Sequence, residues 1–403
     1  MYDKPAILGG EPVRLEKIYY GKQWINEADI QAVNEVLRGD YLTTGPHIEQ
    51  LEKRLVSYTG AKYGAVCSSG TAALHLALLA AGIVTGDEVI VSAMTFIASA
   101  NAILYCGAIP VFADIDESTY NIDPENVEKL ITDKTKAVLA VDYTGEPADL
   151  KRLSVICHKH GLILIEDAAH SIGAQYEGKN IGSIADLTTF SFHPVKTITG
   201  GEGGAVMTNN YEYYRKVKLL SRHGVTYEES EMQDLPHEGP WVNEQIMLGY
   251  NYRITDMQCA LIMSQLSRID MFVDRRRSIA EKYDEAFGKI PQLILQKSLP
   301  LAKSCRQLYL LHLKCELLNC SRKEFYDALD AEGIHCMVHY VPVYLMPYYR
   351  QLGYKSGLCP LAERLYKEIM SIPCYPKMSD DDVEDVILAV EKLMLIIMQS
   401  NRN

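Results

Sequence analysis

What this sequence is short of narrows its function first. It has no basic excess: 40 Lys and Arg face 52 Asp and Glu, a formal net charge of −12. That balance disfavours nucleic acid or an anionic membrane as the main partner, although a local basic pocket could still hold phosphate. No stretch reaches the roughly 18 uninterrupted apolar residues of a membrane span. The opening "MYDKPAILGGEPVRLEK" has no apolar h-region, so a cytoplasmic protein without a membrane partner is expected. Cysteines are scattered singly, and the closest pair, Cys315 and Cys320, lacks the spacing of a zinc knuckle or a thioredoxin-type site. Reduced, mostly buried thiols are expected. His158 and His160 stand two apart on a helical pattern and so point in different directions, which leaves no metal site in view. There is no G-x-G-x-x-G opening a helix after a strand, which argues against a nicotinamide oxidoreductase. Internal repeats and low-complexity tracts are absent too.

What is present is the make-up of a folded enzyme-sized chain. Its 403 residues are too many for one small core, and about two or three domains are expected. Two helical patterns, "NEADIQAVNEVLRG" and "HIEQLEKRLVSYTG", are joined by the turn "DYLTTGP". From residue 65 short apolar runs alternate with helical periods: "GAVCSS", "EVIVSAMTF", "IPVFADID", "AVLAVDYTG", "LILIEDAA", "LTTFSFH" and "GGAVMTN", with helices such as "GTAALHLALLAAG" and "DLKRLSVICHKHG" between them. This alternation predicts an α/β fold, a largely parallel sheet covered by helices on both faces. We expect a large domain over 1–254 that includes the N-terminal segment, and one long connecting helix within 255–290, from Thr255 to about Phe287. A small α+β domain is expected over 291–403, in which "GIHCMVHYVPVY" holds a strand.

In an open parallel sheet, ligands bind at the carboxyl ends of the strands. Four candidates stand there. Ser69, Gly70, Thr71 and Ala72 mark a strand turning into a helix, whose free N–H groups and dipole suit an anion, although small residues also simply cap helices. Glu166 and Asp167 end a buried strand with His170 one turn on; a carboxylate there is more often functional than structural, with helix capping as the alternative use. Phe96 follows a third strand, where an aromatic most often belongs to the core, and Lys196 follows "LTTFSFH", where a lysine is usually solvated. Jointly they are the parts that hold pyridoxal 5′-phosphate (PLP): anion seat, pyridinium partner, ring stacker and Schiff-base lysine.

At these residues the sequence resembles the DegT/DnrJ/EryC1/StrS family of nucleotide-sugar aminotransferases. "GTAALHLAL", "EDAAHSIGA", "FSFHPVK", "GEGGAV", "LGYNYRITD" and "SIPCYP" stand in the family's order. The resemblance implies a fold-type I PLP-dependent transferase, with a mostly parallel seven-stranded sheet between helices in the large domain. It implies Lys196 and Asp167 as catalytic residues, and Ser69, Gly70, Thr71, Ala72, Phe96, His170, Ser191 and Asn251 as further cofactor contacts. Asn251 would reach the phosphate of a neighbouring subunit, making the active unit a homodimer with shared sites. For the substrate, Thr44, His193, Arg253, His339, Tyr340 and Tyr344 are implied. "FSFHPVKTIT", "LGYNYRITD" and "VHYVPVY" look most like the branch that aminates C4 of a UDP-linked 2-acetamido-2,6-dideoxy-L-hexos-4-ulose on the route to pseudaminic acid, with L-glutamate as donor. A D-sugar aminotransferase shares every cofactor motif. A non-catalytic binding regulator would be supported by an attached DNA-binding segment, which is not visible. The dehydratase branch, which resembles this one with histidine in place of the lysine, is disfavoured by Lys196.

Overall fold

Seven apolar runs become one sheet in the computed structural model, which describes residues 4–232, 239–318 and 320–400, without the side chains of 396–400. Strands β1 (Tyr63–Cys67), β2 (Glu88–Ser92), β3 (Ile109–Ala113), β4 (Thr135–Val141), β5 (Ile163–Asp167), β6 (Leu187–Ser191) and β7 (Gly204–Thr208) lie in the order β1-β7-β6-β5-β4-β2-β3. Pairs β2–β3, β2–β4, β4–β5 and β5–β6 are parallel, and β7 runs antiparallel to both β1 and β6. The reversal follows from the link between β6 and β7, a loop that turns straight back, whereas parallel neighbours need a crossover.

Both faces of the sheet are buried, and alternate residues of a strand fall into different cores. Val89, Val91, Leu139 and Ile165 pack with Leu76 of α3 (Gly70–Ala80) and Ile103 of α4 (Ile97–Tyr105). Ile90, Val138 and Leu164 pack on the other face with Leu55 and Leu153. This period of two, buried on both sides, is why the strands read as continuous apolar runs.

Helix and strand expectations need correction at two places. The stretch from Thr255 to Phe287 is not one helix. It is α8 (Asp256–Leu266) and α9 (Ile269–Phe287), broken where Arg268 takes a non-helical φ of −118° and places its guanidinium 2.6 Å from buried Asp29. In "GIHCMVHYVPVY" only Ile334–His335 is strand, and it pairs in parallel with Ile18–Tyr19.

That second pairing lays the N-terminal segment against the C-terminal part of the chain. Buried Glu332 accepts hydrogen bonds from the N–H groups of Ala6 (2.9 Å) and Val13 (3.0 Å) and from Lys392 Nζ (2.9 Å). Ile18 sits in the third apolar core, with Tyr283 and Phe287 of α9 and the inner faces of β8 (Leu293–Ile294), β9 (Tyr309–Leu313) and β10 (Ile369–Ile372). These three form a small antiparallel sheet in that order.

Candidate active site

The first piece of the site is made where β1 becomes α3. Ser69 caps the helix, its side-chain oxygen accepting from the N–H of Ala72 at 3.1 Å. The remaining first-turn N–H groups have no partner within the helix and face outward with the positive end of the dipole. Gly70 is required here: a Cβ would lie 2.7 Å from Cβ of Ser191. Gly204 is required for the same reason, because its Cβ would come 2.2 Å from the Ser69 carbonyl oxygen. Seat, Ser191 and the β6–β7 loop are therefore pressed together.

Asp167 closes β5. Its Oδ2 accepts from Ser99 Oγ at 2.6 Å and its Oδ1 from the N–H of Ala169 at 3.1 Å. Burial raises its pKa above the ordinary carboxyl value, and these two donors pull the other way. Strand alternation turns neighbouring Glu166 away; it accepts from Thr188 Oγ1 at 2.7 Å, and burial together with Asp142 raises its carboxyl well above the ordinary value. Glu166 is thus structural.

Lys196 stands in the turn after β6, its N–H donating to the His193 carbonyl at 2.9 Å. Burial brings its ammonium down to about 8, against the opposing pull of Asp167. An amine that loses its proton near neutrality can act as base and nucleophile. Imidazoles facing it are kept neutral: burial and Lys196 push His339 down to about 4 and His170 well below its usual range.

One cavity of about 420 Å³ joins these groups. Its wall carries Ser69, Gly70 and Thr71 of the seat, then Asp167, Lys196 and Ser191, and on the other side Phe96, His170, His193, His339 and Tyr340. Phe96 is 53% exposed, and Tyr340 stands 5.8 Å from it, centroid to centroid. Tyr340 OH lies 3.3 Å from His170 Nε2, while the buried Nδ1 of His170 has no partner among the described residues.

The other expected positions lie elsewhere. The N–H of Ala72 is spent on Ser69, and Ala72 does not line the cavity. Thr44 and Arg253 border a separate cleft, and exposed Asn251 accepts from Arg253 Nε at 3.0 Å. Tyr344 is a correction: it is fully buried against Phe112, and its hydroxyl donates to Glu363 at 2.7 Å, so it does not reach the cavity. Thr95, Glu202 and Tyr20 line the cavity without having been singled out in the sequence, although Glu202 lies within "GEGGAV".

The residues present fit PLP. A half-exposed aromatic ring, a buried carboxylate, an amine of lowered pKa, an unpartnered imidazole nitrogen and a glycine-floored helix terminus share one cavity of cofactor size. Comparison with known proteins agrees, since the model of the DegT/DnrJ/EryC1/StrS aminotransferase family matches residues 23–391.

The chain belongs to that family. It is a PLP-dependent sugar aminotransferase. The spore coat polysaccharide biosynthesis protein SpsC of Bacillus subtilis is 41% identical over 377 residues, 93% of this chain and 96% of that one. The UDP-4-amino-4,6-dideoxy-N-acetyl-beta-L-altrosamine transaminase of Campylobacter jejuni is 38% identical over 379 residues, 93% of this chain and 97% of that one. Among solved structures, Helicobacter pylori PseC, an aminotransferase involved in the biosynthesis of pseudoaminic acid, superposes with a TM-score of 0.87 at 32% identity, covering 94% of this chain and all of the other.

Proposed function

We propose that this enzyme aminates C4 of a UDP-linked 4-keto-6-deoxy-N-acetylhexosamine, with L-glutamate as donor, giving UDP-4-amino-4,6-dideoxy-N-acetyl-β-L-altrosamine. The observation that carries the chemistry is the meeting of Lys196 and Asp167 in one cavity with a half-exposed Phe96. The choice of sugar is supported by likeness to the Campylobacter transaminase and to PseC.

Each residue has a task that follows from its surroundings. Ser69, Gly70 and Thr71 bind the phosphate through backbone N–H groups, with Ser191 beside them. Phe96 covers one face of the ring. Asp167 holds a proton on the ring nitrogen, because a carboxylate within hydrogen-bond reach favours the charged form. When bound, PLP supplies the electron sink that stabilises a carbanion next to nitrogen. Lys196 takes the proton that leaves the α-carbon of glutamate and delivers one to sugar C4, a role for which an ammonium of lowered pKa is suited. His193, His339 and Tyr340 form the wall that a sugar would meet. Asn251, exposed and outside the cavity of its own chain, completes the phosphate seat of a second copy in a cytoplasmic homodimer.

The test is product analysis. UDP-N-acetylglucosamine treated with a C5-inverting 4,6-dehydratase, then with this enzyme and glutamate, gives the L-altrosamine nucleotide. The D-keto sugar from a retaining dehydratase gives a much lower kcat/KM, since inversion at C5 turns the methyl group toward a different wall. Equal or faster amination of the D-sugar rejects the L-assignment and leaves the aminotransferase intact.

A further inference from the structure

The amide of Gln307 grips the chain on both sides of Lys196. Its Nε2 donates to the carbonyl of Val195 at 2.5 Å, and its Oε1 accepts from Thr197 Oγ1 at 2.9 Å. The orientation of the amide is forced, because a carbonyl can only accept and so must meet the NH2 end. Gln307 comes from the C-terminal part of the chain, two residues before β9, and both it and Thr197 are buried. Gln307 is itself held from behind: Arg276 of α9, buried in the core, donates from one guanidinium nitrogen to the Gln307 main-chain carbonyl at 3.0 Å and also to that of Cys374.

We propose that Gln307 is a positioning residue that fixes the backbone on either side of Lys196 and so keeps its amine in the cavity. The idea rests on Lys196 being the reacting amine, as argued above. The other bonds of the turn act at its ends or on Lys196 itself: the Phe192 carbonyl accepts from the Gly200 N–H at 3.0 Å and from Thr199 Oγ1 at 3.1 Å, and the Lys196 N–H donates to His193. Gln307 instead holds the two residues that flank the lysine, and a lysine on a four-carbon stem strays to water unless its base is fixed. An amine that strays regains its solvation and with it an ordinary pKa.

The experiment is competitive acetylation of the full chain without cofactor, read by mass spectrometry across pH, which reports the pKa and reactivity of Lys196 directly. Two variants are compared with wild type: Gln307→Met, which keeps the bulk and loses both bonds, and Thr197→Val, which keeps the shape and loses one. Asp167, His170 and His339 beside Lys196, and Tyr20, His193, Glu202 and Tyr340 in the same wall, are untouched by either. In Gln307→Met the Lys196 pKa rises by at least about one unit, roughly a fivefold fall in labelling at pH 8; in Thr197→Val it rises by less. Unchanged labelling in both overturns the proposal, even if melting temperatures fall, because a merely structural role lowers stability and leaves the amine where it was. Should Gln307→Met fail to fold, Thr197→Val decides alone: a rise supports the proposal and no rise overturns it. Labelling needs neither PLP nor sugar, so this outcome is independent of whether the proposed reaction is correct.

Discussion

Ser99 Oγ donates a 2.6 Å hydrogen bond to Asp167 Oδ2, and Thr95 Oγ1 stands 2.7 Å from that same Ser99 oxygen. With its proton spent on the carboxylate, Ser99 can only accept from Thr95. Both hydroxyls therefore point their protons toward Asp167, which favours its ionised form.

Removing the nearer hydroxyl should show in cofactor affinity. Ser99→Ala loses a charge-assisted bond worth about 1.5–3 kcal/mol, so PLP is expected to bind about ten-fold or more weakly by equilibrium titration. A PLP analogue with carbon in place of the ring nitrogen should bind wild type and variant alike, and Ser99→Thr should restore PLP binding. Equal weakening for both ligands would mean that Ser99 does not act through Asp167.

Borohydride reduction should fix PLP onto wild-type protein at the peptide holding Lys196 and fix none in Lys196→Ala. The variant should lose at least roughly 10²-fold in amination, the low end for a positioned general base. Labelling at another lysine in wild type would reassign the reacting amine.

Two dead variants should help each other. Lys196→Ala and Asn251→Ala, mixed after unfolding and refolding together, are expected to regain part of the activity, because a mixed dimer with shared sites has one site intact. Verified mixing without regained activity speaks against Asn251 serving the neighbouring subunit.

Glu146 offers a pH signature of stability. Buried, its carboxyl accepts from the Leu299 N–H at 3.0 Å and from Ser298 Oγ at 2.9 Å, yet burial still raises its pKa to about 7. A folded-state pKa above the unfolded one means stability that is full below about pH 4.5 and is lost as pH rises through about 7, up to about 3 kcal/mol in all. Glu146→Gln removes this loss, since an amide can keep the Leu299 bond and donate to Ser298. The melting temperature of the variant relative to wild type should be higher at pH 8 than at pH 4.5. A difference that does not change with pH would place the Glu146 titration outside this window.

The parts legible in sequence were those with a repeating or chemically marked signal. All seven sheet strands announce themselves because burial on both faces leaves runs such as "LILIED" almost wholly apolar. Asp167 stands out because a charged residue ending such a run is unusual, and Lys196 because it stands between a strand end and the glycine cluster "GGEGG". The pairing of Ile18–Tyr19 with Ile334–His335 has too few residues for any period to show. The break at Ser267–Arg268 is hidden because apolar spacing continues across it, while its cause, Asp29, lies far back in the chain. Gln307 and Ser99 are invisible for a related reason: each acts on a partner that only folding brings near. Tyr344 misled because it belongs to the segment whose resemblance implied substrate contacts, and the short turn of 3-10 helix at Val343–Leu345 points it into the core instead.

The strap that ties Ala6 to Glu332 spans 326 positions of sequence, and this sets an order of events on the ribosome. The segment that holds Ala6 must wait for its acceptor, about 16 to 65 s at ordinary elongation rates. During that interval the apolar side of Ile18 has no home, and the C-terminal sheet that will receive it does not yet exist. Docking of this segment is thus postponed until Glu332 has been made, and a chain cut before Glu332 would leave it undocked.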